Sequence, residues 1–173
     1  MRLDPATIEC LVFTFKEGLL SPLAHDLAIR VDGLDVAVAM TEWHLEASCA
    51  ASSLCVLGAM QGGVLRPDAL ADGDKRAIEA HIVDDVLHAS RHREIRFTST
   101  SAEACGDELV VRGVLDLHGE RRPLVVPARR RDSAWIAEVR LHQPDFGIEP
   151  YRAMLGTLRV QADVLVRVTV EAS

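Results

Sequence analysis

Residues 72–97 read DGDKRAIEAHIVDDVLHASRHREIRF, and this stretch decides the fold because it holds the one long helical period in the chain. Ile78, Ile82 and Val86 recur every four residues, with Val83 and Leu87 widening the stripe, while Lys75, Arg76, Glu79 and Asp85 fall on the side left for water. Asp72 or Asp74 is placed to accept from the first free amides, and their charge suits the positive end of the helix dipole. The spacing therefore predicts an amphipathic helix from about residue 72 to about residue 88. After Ala89 and Ser90 the period changes: Glu94-Ile95-Arg96-Phe97-Thr98-Ser99 alternates polar and apolar residues, as a half-buried strand does.

Outward from this stretch the chain is strand-like on both sides. Towards the N-terminus, Thr7 to Lys16 alternates, with Leu11, Phe13 and Phe15 on one face and Cys10, Val12 and Thr14 on the other. Gly18, Ser21 and Pro22 interrupt it. Leu27, Ile29 and Val31 form the next set, Asp32-Gly33 is a hairpin or bulge signal, and Leu34, Val36, Val38 and Met40 follow. Trp43, Leu45, Ala47 and Cys49 make another half-buried strand. From Ser52 to Leu70 no period emerges, and the stretch reads as a covering loop leading to the helix. Towards the C-terminus, Leu109, Val111, Leu115 and Leu117 alternate around Gly113, and residues 118–123 connect them to Leu124, Val126 and Ala128. Trp135 to Leu141 is a further strand. Residues 144–156 interrupt before a long valine-rich strand from Val160 to Val170.

The fold class is therefore mainly β: a single domain over residues 1–173, with eight or nine mostly sequential antiparallel strands and one inserted helix. An up-and-down barrel of about eight strands is the preferred closure, since it removes exposed sheet edges and leaves an interior for side chains or one small ligand.

Composition narrows the function. The chain has 173 residues, is 49% apolar and has a formal net charge of -7. An acidic balance argues against a nucleic-acid partner, and no apolar run approaches the roughly 18 residues of a spanning helix. Cys10, Cys49, Cys55 and Cys105 lack any C-x-x-C pair and read as reduced core thiols. The opening Met-Arg-Leu-Asp-Pro has no secretory pattern, which points to the cytoplasm, or to the periplasm if a leader has been removed.

Several segments, in order, resemble the polyisoprenoid-binding (YceI-like) family. They are Asp74-Lys75-Arg76 and Asp84-Asp85-Val86-Leu87 on the helix, Glu94 to Ser99 after it, Arg112 to Gly119 with Arg122-Pro123, Asp145-Phe146-Gly147-Ile148, and the final valine-rich strand. Where members of that family often carry an aromatic residue and a proline before the post-helix strand, this chain has His92-Arg93. The resemblance implies a lipocalin-like barrel around an elongated apolar cavity, and alternation nominates Phe13, Phe15, Leu27, Ile29, Phe97, Leu115, Trp135 and Val166 as its lining. A packed centre is the alternative. At the mouth, His25, Arg91 and Arg93 are the candidates for meeting a polar or phosphorylated head group, the guanidinium fork being suited to phosphate oxygens.

His81, Asp85, His88 and His92 share a helical spacing that could bring metal ligands together, but the break at Ala89-Ser90 and the want of a fourth ligand argue against a site. No catalytic motif stands out, and no cofactor is called for. The implied function is non-enzymatic binding or carriage of a long-chain amphiphile: a polyisoprenoid, an isoprenoid quinone or a fatty-acyl lipid. An enzyme acting on a small lipid-like substrate and a ligand-free interaction module remain the alternatives, and a homodimer stays open.

Overall fold

The computed structural model describes residues 1–17, 25–39, 44–153 and 158–171. In chain order the elements are β1 (Ile8–Thr14), β2 (Lys16–Glu17), β3 (Asp26–Val31), β4 (Asp35–Ala39), β5 (His44–Ala50), β6 (Leu54–Gln61), β7 (Val64–Arg66) and α1 (Asp72–His81). There follow β8 (Glu94–Cys105), β9 (Glu108–Leu117), β10 (Glu120–Arg131), β11 (Ala134–His142), β12 (Arg152–Ala153), β13 (Leu158–Val160) and β14 (Asp163–Glu171). The break read at Ser21-Pro22 and the positions Met40 and Trp43 lie outside the described residues.

Eleven strands form one curled antiparallel sheet in the order β4-β5-β8-β9-β10-β11-β14-β1-β3-β6-β7, and β12-β13-β2 form a small second sheet. The expected closure of about eight strands is corrected to a sheet of eleven: the nine segments read from the sequence are joined by β6 and β7, from the stretch read as a loop. Val56 lies opposite Ile29 and Ala59 opposite Leu27, so both share one face although they are three residues apart; the register shift between Ala28 and Ile29 breaks the alternation that would mark a strand. A local signal was present in Gly62-Gly63: both residues have positive φ, the backbone that a tight hairpin turn demands. Gly58 is needed for a different reason. A Cβ there would lie 2.7 Å from both the Arg66 carbonyl oxygen and Pro67 Cα.

Because β3 pairs with β6 and β4 with β5, residues 26–39 and 44–61 run as one antiparallel pair bent in the middle. At the bend sits Asp32-Gly33, read as a hairpin or bulge signal; β3 and β4 do not pair with each other, and the Asp32 amide donates to the Ser53 carbonyl at 2.8 Å. The two halves of that pair are thus the two ends of the sheet order. The outer edge of β4 is covered by the N-terminal residues: Leu3 donates to the Val36 carbonyl, Val38 to that of Met1, and Arg2 reaches Asp35 at 3.3 Å.

The helix begins without a side-chain cap, contrary to expectation; Ala71 is the N-cap, and Asp72 and Asp74 serve only as first-turn charges. Glu79, expected in water, accepts the Val56 amide at 2.7 Å and so ties α1 to β6. Residues Ile82–Val86 widen into a π turn, closed by the Leu87 amide on the Ile82 carbonyl, and His88 ends it with φ of 46°. Leu87 and Ala89 then pack with Ala51, Leu115, Leu117, Phe146 and Ile148. Val160 belongs to β13, so the last strand is split at Gln161-Ala162 instead of running unbroken. Of the four thiols expected in the core, Cys105 is exposed.

The β9–β10 turn is shorter than the sequence suggests. Only His118 and Gly119 form it, both with positive φ, and Glu120 to Pro123 already lie in β10. Nδ1 of His118 donates to the Phe146 carbonyl at 3.1 Å, and its buried Nε2 has no hydrogen-bond partner among the described residues. The rings of His92 and His88 lie 4.4 and 5.5 Å from it, centroid to centroid. Burial holds its pKa below the ordinary histidine value, and the two neighbouring imidazoles add to that.

Two outcomes follow. Gly58→Ala must push β6 away from the Arg66–Pro67 backbone and should cost about 1–3 kcal/mol in urea-induced unfolding. For His118, the unfolded chain takes up the proton more readily than the folded one, so the stabilisation is complete above about pH 6.5 and declines as the pH falls from there to the lower folded value. His118→Asn keeps a residue tolerant of positive φ, and the gap in melting temperature between it and the parent should narrow on acidification.

Candidate functional site: an apolar cavity with a polar opening

The strands around the curl set which side chains face inward. On β14 the phase is unambiguous, since Val164, Val166, Val168 and Val170 point one way and Leu165, Arg167 and Thr169 the other. Val166 lies opposite Val12, and Val168 opposite Cys10, and directly opposed residues share a face. The valine face of β14 therefore carries Cys10, Val12 and Thr14 inward and leaves Phe13 and Phe15 outside. Inside is a cavity of about 560 Å³, within the ~300–1,000 Å³ usual for ligand sites.

Six of the nominated lining residues border it: Leu27, Ile29, Phe97, Leu115, Trp135 and Val166. Phe13 and Phe15 do not. Both faces of β1 are apolar, so periodicity left the phase of that strand undetermined, and its partner resolves it. On the outer face the Arg167 guanidinium sits 5.1 Å from the Phe13 ring centre and that of Arg140 5.8 Å from Phe15, which shields two aromatic rings from water. The helix contributes Ile78, Ile82 and Val86 to the lining, so its apolar stripe faces the cavity.

Polar lining groups gather where α1 ends and the small sheet begins. Besides Thr14 on β1, they are Lys16, His25, His81, Gln143, Tyr151 and Arg159. Lys16, His81 and Arg159 are at once solvent-exposed and on the cavity wall, the condition that defines an opening. The small sheet brings them together by pairing Val160 with Lys16 and Arg159 with Glu17. The His81 and Tyr151 rings lie 5.4 Å apart, and Asp85 holds His81 Nδ1 at 2.6 Å. Behind them, Gln143 donates to the Gln161 carbonyl, and Gln161 to that of Lys16, at 3.0 and 3.2 Å.

Of the expected mouth residues, His25 borders the cavity. Arg91 and Arg93 do not; both are exposed on the turn after the helix, whose backbone is held by the Ala51 amide on the Arg93 carbonyl. Lys16, His81, Gln143, Tyr151 and Arg159 were missed. For Lys16 the inward phase of Cys10, Val12 and Thr14 would have sufficed, whereas Tyr151 and Arg159 lie in a stretch without legible period.

The histidine series splits: His81 lies apart, while His88 and His92 both flank the His118 ring. His81 faces Tyr151, His88 Nδ1 is 2.8 Å from the Asp84 carbonyl, and His92 stacks near His118. Among the described residues no group of three or more His, Cys, Asp or Glu is arranged to hold a metal ion. The cavity thiols are poor nucleophiles: burial pushes Cys10 up to about 12 and Cys49 up to about 11, far from the thiolate form at neutral pH.

The YceI-like domain profile matches residues 33–172. Burkholderia cenocepacia BcnA superimposes with a TM-score of 0.67 at 12% identity, over 99% of both chains. A polyisoprenoid binding domain from Saccharophagus degradans gives 0.64 at 14% identity, over 99% of this chain and 98% of that one. The Campylobacter jejuni YceI protein gives 0.60 at 12% identity, over 91% and 88%. At these identities the structures show a shared fold. No protein with a curated functional description matches the chain. Among the described residues no helix is long and apolar enough to cross a membrane.

The inward position of the helix stripe is open to test. Ile82→Asp would place a carboxylate on the apolar wall, at a cost of several kcal/mol if it stays buried and charged, on the order of other unpaired buried groups. Loss of stability by chemical denaturation is expected; unchanged stability would mean that Ile82 does not pack where it lies.

Proposed function

The chain belongs to the YceI-like domain family, and from that premise we propose that it is a non-enzymatic binding and carrier protein for a single long apolar chain with a polar head: a polyisoprenoid, an isoprenoid quinone or a fatty-acyl lipid. The observation that carries this reading is the cavity of about 560 Å³ whose walls, away from the opening, are aliphatic and aromatic. Each square ångström of apolar ligand surface moved from water into such a wall contributes roughly 25 cal/mol, so a long chain is retained without a catalytic group or a covalent link. The Saccharophagus degradans neighbour, described as polyisoprenoid binding, agrees with this ligand class.

The head then belongs at Lys16, His25, His81, Tyr151 and Arg159, and the tail along the valine face of β14 towards Phe97 and Leu115. Arg91 and Arg93 have no part in this arrangement. Binding of fluorescent acyl or prenyl probes should tighten with chain length and level off once the cavity is full. Ala137 is the position for a blocking substitution, because it borders the cavity between Ala128 and Val168 on neighbouring strands. Ala137→Trp should weaken binding by about tenfold or more, roughly 1.4 kcal/mol, while the thermal transition of the unliganded protein stays cooperative. Equal affinity in parent and variant would refute occupation of this cavity.

A further inference from the structure

The charged side chains that border the cavity at its opening are all basic among the described residues. The chain as a whole carries 26 acidic residues against 19 Lys and Arg. Yet among the described residues the cavity wall includes Lys16, Arg159, the imidazoles of His25 and His81 and the Tyr151 hydroxyl, and no carboxylate at all. The acids nearest to these groups are kept off the wall. Asp26 alternates away from the side of His25 and Leu27, and Glu17, which lies across the small ladder from Arg159 and shares its face, does not itself border the cavity. Asp26 is further engaged by the Lys16 backbone amide at 2.7 Å, and Asp85 by His81. The two cations are not equivalent. Arg159 has Glu17 directly across the small ladder, whereas the Lys16 ammonium has no ion-pair partner among the described residues.

We propose that the opening selects an anionic head group, a carboxylate or a phosphate ester, on the apolar chain, with Lys16 as its principal counter-ion and Arg159 and the Tyr151 hydroxyl as further donors. This rests on the carrier reading and narrows it from amphiphiles in general to acidic ones. An anion seated there lies between donors on the rim and an apolar wall that offers no competing negative charge, so a charge-assisted hydrogen bond forms where a neutral hydroxyl makes only an ordinary one. A cationic head meets like charge instead. Because Lys16 and Arg159 are exposed, the preference is screened by salt.

The test pairs ligands of equal chain and different head: palmitate, hexadecanol and hexadecylamine in one arm, farnesyl phosphate and farnesol in the other. All are titrated below their micellar concentrations against the full chain, with the cavity residue Trp135 as a fluorescence reporter. The acid of at least one arm should bind about tenfold or more tighter than its alcohol, roughly 1.4 kcal/mol, and the amine more weakly than either. The arm with the larger ratio identifies carboxylate or phosphate as the head. Lys16→Met should remove most of that ratio by weakening the acid far more than the alcohol, with the melting temperature unchanged; Lys16→Arg should restore the ratio, and added salt should reduce it. Acid and alcohol binding equally to the parent protein, or Lys16→Met weakening both alike, would overturn the inference and leave the carrier reading standing. Failure of every ligand in both arms to bind would overturn the two together.

Discussion

The inner face of the sheet looks onto space, and this constraint governs the rest of the structure. A filled barrel is held by side chains interlocking across its centre; here none of the large side chains in the described residues is completely buried, and the cavity walls stay only partly covered. Dispersion contacts that a packed centre supplies are absent on that side. Stability must come from the ladders themselves, from the bent pairing of residues 26–39 with 44–61, and from the cluster of Leu87, Ala89, Leu115, Leu117, Phe146 and Ile148. That cluster is the closest thing in the molecule to an ordinary core. The π turn, the left-handed His88 and the His118-Gly119 turn all serve to bring its members into contact.

Patterns that repeat on one face were legible in the sequence, and those that depend on a partner strand were not. The valine alternation of β14 and the four-residue stripe of Ile78, Ile82 and Val86 each carry their own phase, so the last strand and the helix could be read from residues alone. β1 has apolar residues on both faces, and nothing local says whether Phe13 or Val12 points inward; only the pairing with Val166 decides it. β6 failed for a different reason, since the register shift opposite Ala28 and Ile29 puts Val56 and Ala59 on one face three residues apart and so breaks the alternation that identifies a half-buried strand. Larger size did not predict the inner position either. Two of the four phenylalanines lie outside under arginines, where their rings are shielded by guanidinium groups instead of by a core.

The opening was the least legible feature because no single segment builds it. Lys16 and His25 flank one loop, His81 ends the helix, and Tyr151 and Arg159 come from a stretch interrupted by Pro144, Gly147 and Pro150. Short ladders of two or three residues join these parts, and ladders that short leave no periodicity. Arg91 and Arg93 drew attention because their charge is clustered in sequence. Clustering in sequence says little about direction, whereas strand phase says a great deal: once Cys10, Val12 and Thr14 are known to face inward, Lys16 follows.

An apolar space held open by a hydrogen-bonded wall also links binding to stability. A chain lodged against Leu27, Phe97, Trp135 and Val166 would supply the contacts that the unliganded centre lacks, and any ligand that binds the folded state alone stabilises it in proportion to the logarithm of its concentration over its dissociation constant. The gain should be distributed unevenly. The cluster at the helix end already has its packing, so the strands that border the cavity on both sides of β14 stand to gain most. The opening contributes least to this term, because its groups are hydrated with or without a ligand. Retention would thus reside in the wall, and discrimination between heads at the rim, in two separate parts of the chain.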